Sequence, residues 1–130
     1  MASLYEQIGE SRIKSVIRDF YVRAFTDPII GHFFFGKNHD ELVAKQSQFA
    51  IALLGGPRSY AGRPLAPVHH GLGIRLPHFG RRQLLMGEVL KEHGIDPHLA
   101  YAWLDLEDQL RPLIVENGQA SCSPPADSSK

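Results

Sequence analysis

LGGPRSYAGRPLAPVHHGLGI, residues 54–74, is the stretch on which the fold turns. Its Gly55-Gly56 pair is a helix stop, because glycine takes up the left-handed backbone that closes a last turn. Residues 57–68 follow with three prolines and a glycine, show no apolar period, and are too apolar for a solvated linker. They read as an extended, ordered loop in the middle of a small domain. Most connections are much shorter, and long ones usually carry function. This one delivers two adjacent histidines, His69 and His70.

Working outward, apolar residues recur at helical spacing on both sides and period-two alternation is nearly absent. Upstream, Asn38 with Glu41 has the character of a capping box, opening a helix that carries Leu42, Gln46, Phe49, Ala50 and Leu53 on one face. Before it stands the run Phe33-Phe34-Phe35-Gly36. Earlier still, Ile13, Val16, Ile17, Phe20, Tyr21 and Ala24 trace one face of a helix that ends near Asp27-Pro28. Asp27 is placed to cap a short following helix with Pro28 in its first turn. Ser3 with Glu6 predicts a short first helix stopped near Gly9. Downstream, the spacing predicts a long helix from about His78 to Glu92, ending at Gly94. A last helix opens at Asp96-Pro97 and buries Leu99, Trp103, Leu106, Leu110, Leu113 and Ile114. The reading is all-α: one domain over residues 1–116, then a polar tail, residues 117–130, with the composition of a disordered segment.

Bulk composition narrows the function. The chain has 130 residues, enough for one core, and 43% of them are hydrophobic. Lys+Arg and Asp+Glu stand at 14 each, which removes the basic surplus that nucleic-acid binding needs. No apolar stretch reaches membrane-spanning length, and the N-terminus lacks a signal-peptide layout, so neither nucleic acid nor membrane insertion is expected. The single cysteine, Cys122, excludes an intramolecular disulfide and fits a reducing, cytoplasmic location. Seven histidines stand out in so neutral a chain.

Without any family knowledge, two helix faces, a phenylalanine cluster and a histidine after a stiff loop can be taken in two ways. They suit a flat iron macrocycle, with one imidazole as axial ligand and hydroxyl or amide donors for a polarised diatomic. They equally suit a plain aromatic core with solvated histidines, and spacing alone favours that second reading.

Residues 4–114 resemble the truncated haemoglobins, two-over-two globins, and most of all their group I branch. The resemblance is carried by LYEQIG near the start, FYVRAFTDP at 20–28 and HFFFGKNHDELVAKQSQF at 32–49. It continues through the quoted stretch at 54–74 and His78-Phe79. It implies a two-over-two helical sandwich around haem b (iron protoporphyrin IX), with the extended loop leading to the proximal iron ligand, His69. His70 then faces away. Phe34 matches the phenylalanine that stacks on the porphyrin, and Tyr21 the tyrosine whose hydroxyl donates to bound ligand. Leu42 and Gln46 match the two positions that close the distal side. Tyr60, Leu65, Val68, Ile74 and Phe79 match further haem contacts, and Lys37, Arg63 and Arg75 are candidates for propionate pairing. Two roles are open to Lys45: a sixth iron ligand, as some relatives have at this position, or a surface lysine meeting a propionate. His32, His39, His93 and His98 read as structural or surface residues. Ala50 is small where some relatives place a bulky aromatic gate, and Gly9-Glu10 stands where many have a double glycine.

The resemblance implies a protein that binds O2, NO and CO. Two functions fit the Tyr/Leu/Gln pocket: conversion of nitric oxide to nitrate with electrons from a separate reductase, or oxygen storage, delivery or sensing without turnover. A monomer or weak dimer is expected. A haem-free helical interaction module is the remaining alternative, since fold alone does not fix function.

Overall fold

In a computed structural model that describes residues 2–57 and 72–115, every regular element is helical. α1 (Leu4–Ile8) opens on the Ser3 capping box: Ser3 Oγ accepts from Glu6 N–H at 3.1 Å and Glu6 Oε1 from Ser3 N–H at 3.0 Å. α2 (Glu10–Thr26) follows directly after Gly9, whose φ of 95° makes the corner. It buries Ile13, Val16, Ile17, Phe20, Tyr21 and Ala24, the face its spacing predicts. α3 (His39–Leu53) is capped by Asn38 Oδ1, which accepts from Glu41 N–H at 3.0 Å. α4 (Leu76–Glu92), α5 (Pro97–Asp108) and α6 (Arg111–Ile114) are the remaining helices among the described residues.

α2 packs on α3 and on α4, and α4 packs on α5, which is a two-over-two sandwich. Trp103, Phe20, Ile13, Met86, Leu90, Val16 and Val89 are the largest fully buried side chains among the described residues and mark the α2–α4–α5 junction. Each contributes roughly 1.5–3 kcal/mol by leaving water.

α3 and α4 end alike, each in a Schellman motif. Gly56 N–H reaches Ile51 C=O at 2.8 Å and Gly55 N–H reaches Ala52 C=O; Ile95 and Gly94 repeat the pattern on Leu90 and Lys91.

Three expectations are corrected. Pro28 opens a turn, not a helix: Asp27 Oδ2 accepts from Ile29 and Ile30 N–H at 3.0 and 3.1 Å, and a short 3-10 turn, Gly31–Phe34, begins beyond it. The long helix starts at Leu76, ahead of His78, with Pro77 in its first turn, where proline's missing N–H costs nothing. The last helix is broken between Asp108 and Arg111, ahead of Pro112, and of its expected stripe only Trp103 is buried: Leu99, Leu106, Leu110 and Ile114 are half-buried, and Leu113 is 44% exposed. No described helix is long and apolar enough to cross a membrane. The expectations for the loop and for the tail lie outside the described residues.

Candidate functional site

A cavity of about 220 Å³ opens between α2, the 3-10 turn, α3 and α4, and reaches α5 and α6. α3 has two adjacent working faces. Val43, Ser47, Ala50 and Ile51 are its buried residues, while Leu42, Gln46, Phe49 and Leu53, together with Ala50, line the cavity. The stripe legible in the sequence is therefore the cavity face. α2 contributes Ile17, Phe20 and Tyr21, and the 3-10 turn contributes Phe33 and Phe34.

Aromatic contacts hold these rings. Phe34 stacks on Phe25 (centroids 5.0 Å apart, planes at 13°) and meets Tyr21 edge-on at 5.7 Å and 88°. Tyr21 also meets Phe20 edge-on at 4.9 Å. Phe33 packs against His32 and His78, whereas Phe35 is 91% exposed. The 3-10 turn is fastened to α4 by Asp27, whose Oδ1 accepts from Arg81 Nε and Nη2 at 3.0 and 2.7 Å. The Arg81 hydrogen bonds, helped by the two backbone N–H donors, hold the Asp27 carboxyl below its ordinary range against the effect of burial.

The cavity thus gathers Tyr21, Phe34, Leu42, Gln46, Ile74 and Phe79, six of the residues singled out by the resemblance. Lys37 lines it too. Lys45 is exposed on α3 and is not among the lining residues. His69, Tyr60, Leu65, Val68, Arg63 and His70 lie outside the described residues. Two charged lining residues escaped the sequence reading: Arg82 on α4 and Glu107 on α5, an ion pair in which the Glu107 residue is only 6% exposed. Burial works against the Arg82 charge, but Glu107 more than offsets it through its charge and hydrogen bonds, so the guanidinium stays above its ordinary range. Nothing in a helical pattern separates such a glutamate from a solvated one.

A cavity walled mainly by phenylalanine, leucine and isoleucine, with a phenol, an amide and a lysine in its lining, fits a flat macrocycle with charged substituents.

Comparison with known proteins agrees with this geometry. The bacterial-like globin family matches residues 3–115. A group 1 truncated hemoglobin GlbN of Mycolicibacterium paratuberculosis is 44% identical over 95 residues, covering 72% of this chain and 70% of the relative. A group 1 truncated hemoglobin GlbN of Nostoc is 31% identical over 120 residues, covering 88% and 98%. The crystal structure of truncated hemoglobin from Tetrahymena pyriformis in its Fe(III) form superposes with a TM-score of 0.85 at 26% identity, covering 89% of this chain and all of that one. The chain belongs to the bacterial-like globin family, alongside the group 1 truncated haemoglobins. Its cofactor is haem, its fold is the two-over-two globin sandwich, and its general function is haem-based binding of gases.

Proposed function

We propose that this protein binds dioxygen, and also NO and CO, at a haem b held by His69, with Tyr21 and Gln46 as the distal donors. The observation that carries the reading is that a phenol from α2 and an amide from α3 reach one apolar cavity together with Leu42. When bound, the haem supplies an iron centre that takes up the diatomic and polarises it. Phenol and amide both donate hydrogen bonds to a partly negative ligand atom, and the apolar walls keep competing water out, which strengthens each bond. Phe34, set by its stack on Phe25, offers a flat apolar face to the macrocycle.

Optical spectra of the hemin-reconstituted protein in ferric, dithionite-reduced and carbonyl forms test the cofactor and ligand binding together. His69→Ala is expected to abolish stable haem retention or erase the native spectrum; an unchanged spectrum moves the ligand elsewhere. In Tyr21→Phe the loss of one donor to a charged acceptor costs about 1.5–3 kcal/mol, which raises the oxygen dissociation rate roughly ten- to hundred-fold. An unchanged rate removes Tyr21 from its role. Turnover of nitric oxide to nitrate with a separate reductase draws on the same two donors. Decay of nitric oxide measured with and without a reductase distinguishes it from storage, delivery or sensing.

A further inference from the structure

Besides Lys37, two charged side chains, Arg82 and Glu107, stand in the wall of this mainly apolar cavity, and the reading above uses neither. Arg82 and Glu107 are joined by two hydrogen bonds, Nη1 to Oε1 at 2.5 Å and Nη2 to Oε2 at 3.1 Å. Glu107 Oε2 also accepts from Trp103 Nε1–H at 2.9 Å, and Trp103 is wholly buried one turn earlier on α5. Arg82 Nη1 donates further to Gln83 Oε1, and the Gln83 amide is itself bonded to Leu104 C=O at 3.1 Å. The guanidinium is thereby fixed from the α5 side.

A pair of this kind, with its carboxylate buried and its guanidinium partly so, is a weak source of stability, since apolar replacements of similar volume are often neutral or better. What the pair touches on its other side supplies a role. Arg82 Cζ lies 4.8 Å from the centroid of the Phe20 ring, a cation–π contact. Phe20 in turn sits edge-on against Tyr21, which sits edge-on against Phe34. An unbroken line of contacts therefore runs from Trp103 through Glu107, Arg82 and Phe20 to the phenol.

We propose that Arg82 is a positioning residue for Tyr21: anchored by Glu107, it fixes the Phe20 ring against the phenol ring and places a positive charge in the cavity wall. The grip of the pocket on a diatomic then depends on the α4–α5 pair as well as on Tyr21 and Gln46. The proposal rests on the reading of Tyr21 as a distal donor.

The test is the infrared C–O stretch of the carbonyl form, with carbon monoxide as the probe. Positive potential beside the ligand draws electron density into the C–O antibonding orbital and lowers the wavenumber. Arg82→Met, which removes the cation and its clamp on Phe20, is expected to raise the wavenumber and broaden the band. Glu107→Gln removes the counter-charge and is expected to lower it. Arg82→Lys keeps a cation over Phe20 and restores most of the native position. In a Tyr21→Phe background the shift from Arg82→Met shrinks, because the part transmitted through the phenol is gone. Oxygen dissociation rises several-fold in Arg82→Met. A pair that merely braces the fold has no reason to give opposite signs, so shifts in one direction from Arg82→Met and Glu107→Gln overturn the proposal. So does an unmoved band in Arg82→Met where Tyr21→Phe moves it. If Tyr21→Phe itself moves nothing, the donor reading falls and the proposal falls with it. Should Arg82→Met fail to fold, the signed shift of Glu107→Gln decides alone.

Discussion

A carboxylate as enclosed as Glu107 needs donors, and it has three: both terminal nitrogens of Arg82 and the Trp103 indole. The arrangement is asymmetric in energy. Removing one partner strands the other charge in the interior, whereas removing both leaves an apolar wall. Glu107→Leu is therefore expected to destabilise the fold by about 3–5 kcal/mol, and Arg82→Met/Glu107→Leu to recover most of that loss. Urea unfolding of the two variants beside the parent protein measures it; equal losses in the single and double variants would show that the pair is not a buried ionic unit. At the same scale, Lys45 is exposed on α3 beside the cavity-lining Gln46. Lys45→Ala is expected to leave the ferric absorption spectrum unchanged across pH, and loss of a six-coordinate spectrum in this variant would assign it as an iron ligand.

Between elements, the decisive joints are small. Gly56 sits where α1 meets the end of α3: a Cβ there would lie 2.6 Å from Tyr5 Cδ1 and 2.7 Å from Ile51 Cγ2. Gly56→Ala is expected to cost about 1–3 kcal/mol by forcing those groups apart, which thermal unfolding checks. Asp27 is the second joint, tying the turn after α2 to Arg81 on α4. Its carboxyl is held below its ordinary range, chiefly by the Arg81 hydrogen bonds. The resulting stabilisation is complete above the unfolded-chain value of about 3.9 and is lost as pH falls through the lower folded value. In Asp27→Asn the acid limb of stability below about pH 4 should flatten while stability at neutral pH falls; urea midpoints at several pH values test both. Such joints explain what was legible beforehand. Capping side chains and glycine stops are local, so Ser3, Asn38, Gly55-Gly56, Gly94 and Asp96 marked their boundaries in the sequence. The cavity stripe of α3 was legible as a period, although a period does not say whether a face meets a cofactor or other side chains; that came from the resemblance. The pairing of Arg82 with the buried Glu107 joins residues 25 apart in sequence and left no local mark. The break before Pro112 was in plain view, but the apolar period running through it suggested continuity.

Across the whole molecule, the packing divides unevenly about the cavity. The α2–α4–α5 junction is filled by side chains with almost no exposure, among them Phe20, Met86, Val89, Leu90 and Trp103. α3 and the 3-10 turn instead spend much of their apolar surface on the cavity, through Leu42, Phe49, Leu53, Phe33 and Phe34. A group that fills that space touches α2, α4 and α5 as well, but α3 and the 3-10 turn depend on it most, because little else covers their apolar faces. In the haem-free protein, amides of α3 and the 3-10 turn are expected to exchange far faster with solvent, while those of α2, α4 and α5 around Trp103 keep their protection. Adding hemin should restore α3 and raise the unfolding midpoint with concentration, by about 2.7 kcal/mol when free hemin reaches a hundred times its dissociation constant. Equal protection of α3 and α4 without hemin would mean that the cavity closes on its own side chains. The phenol and amide would then have no ligand to hold, because the space in which they meet would vanish with the group that keeps it open.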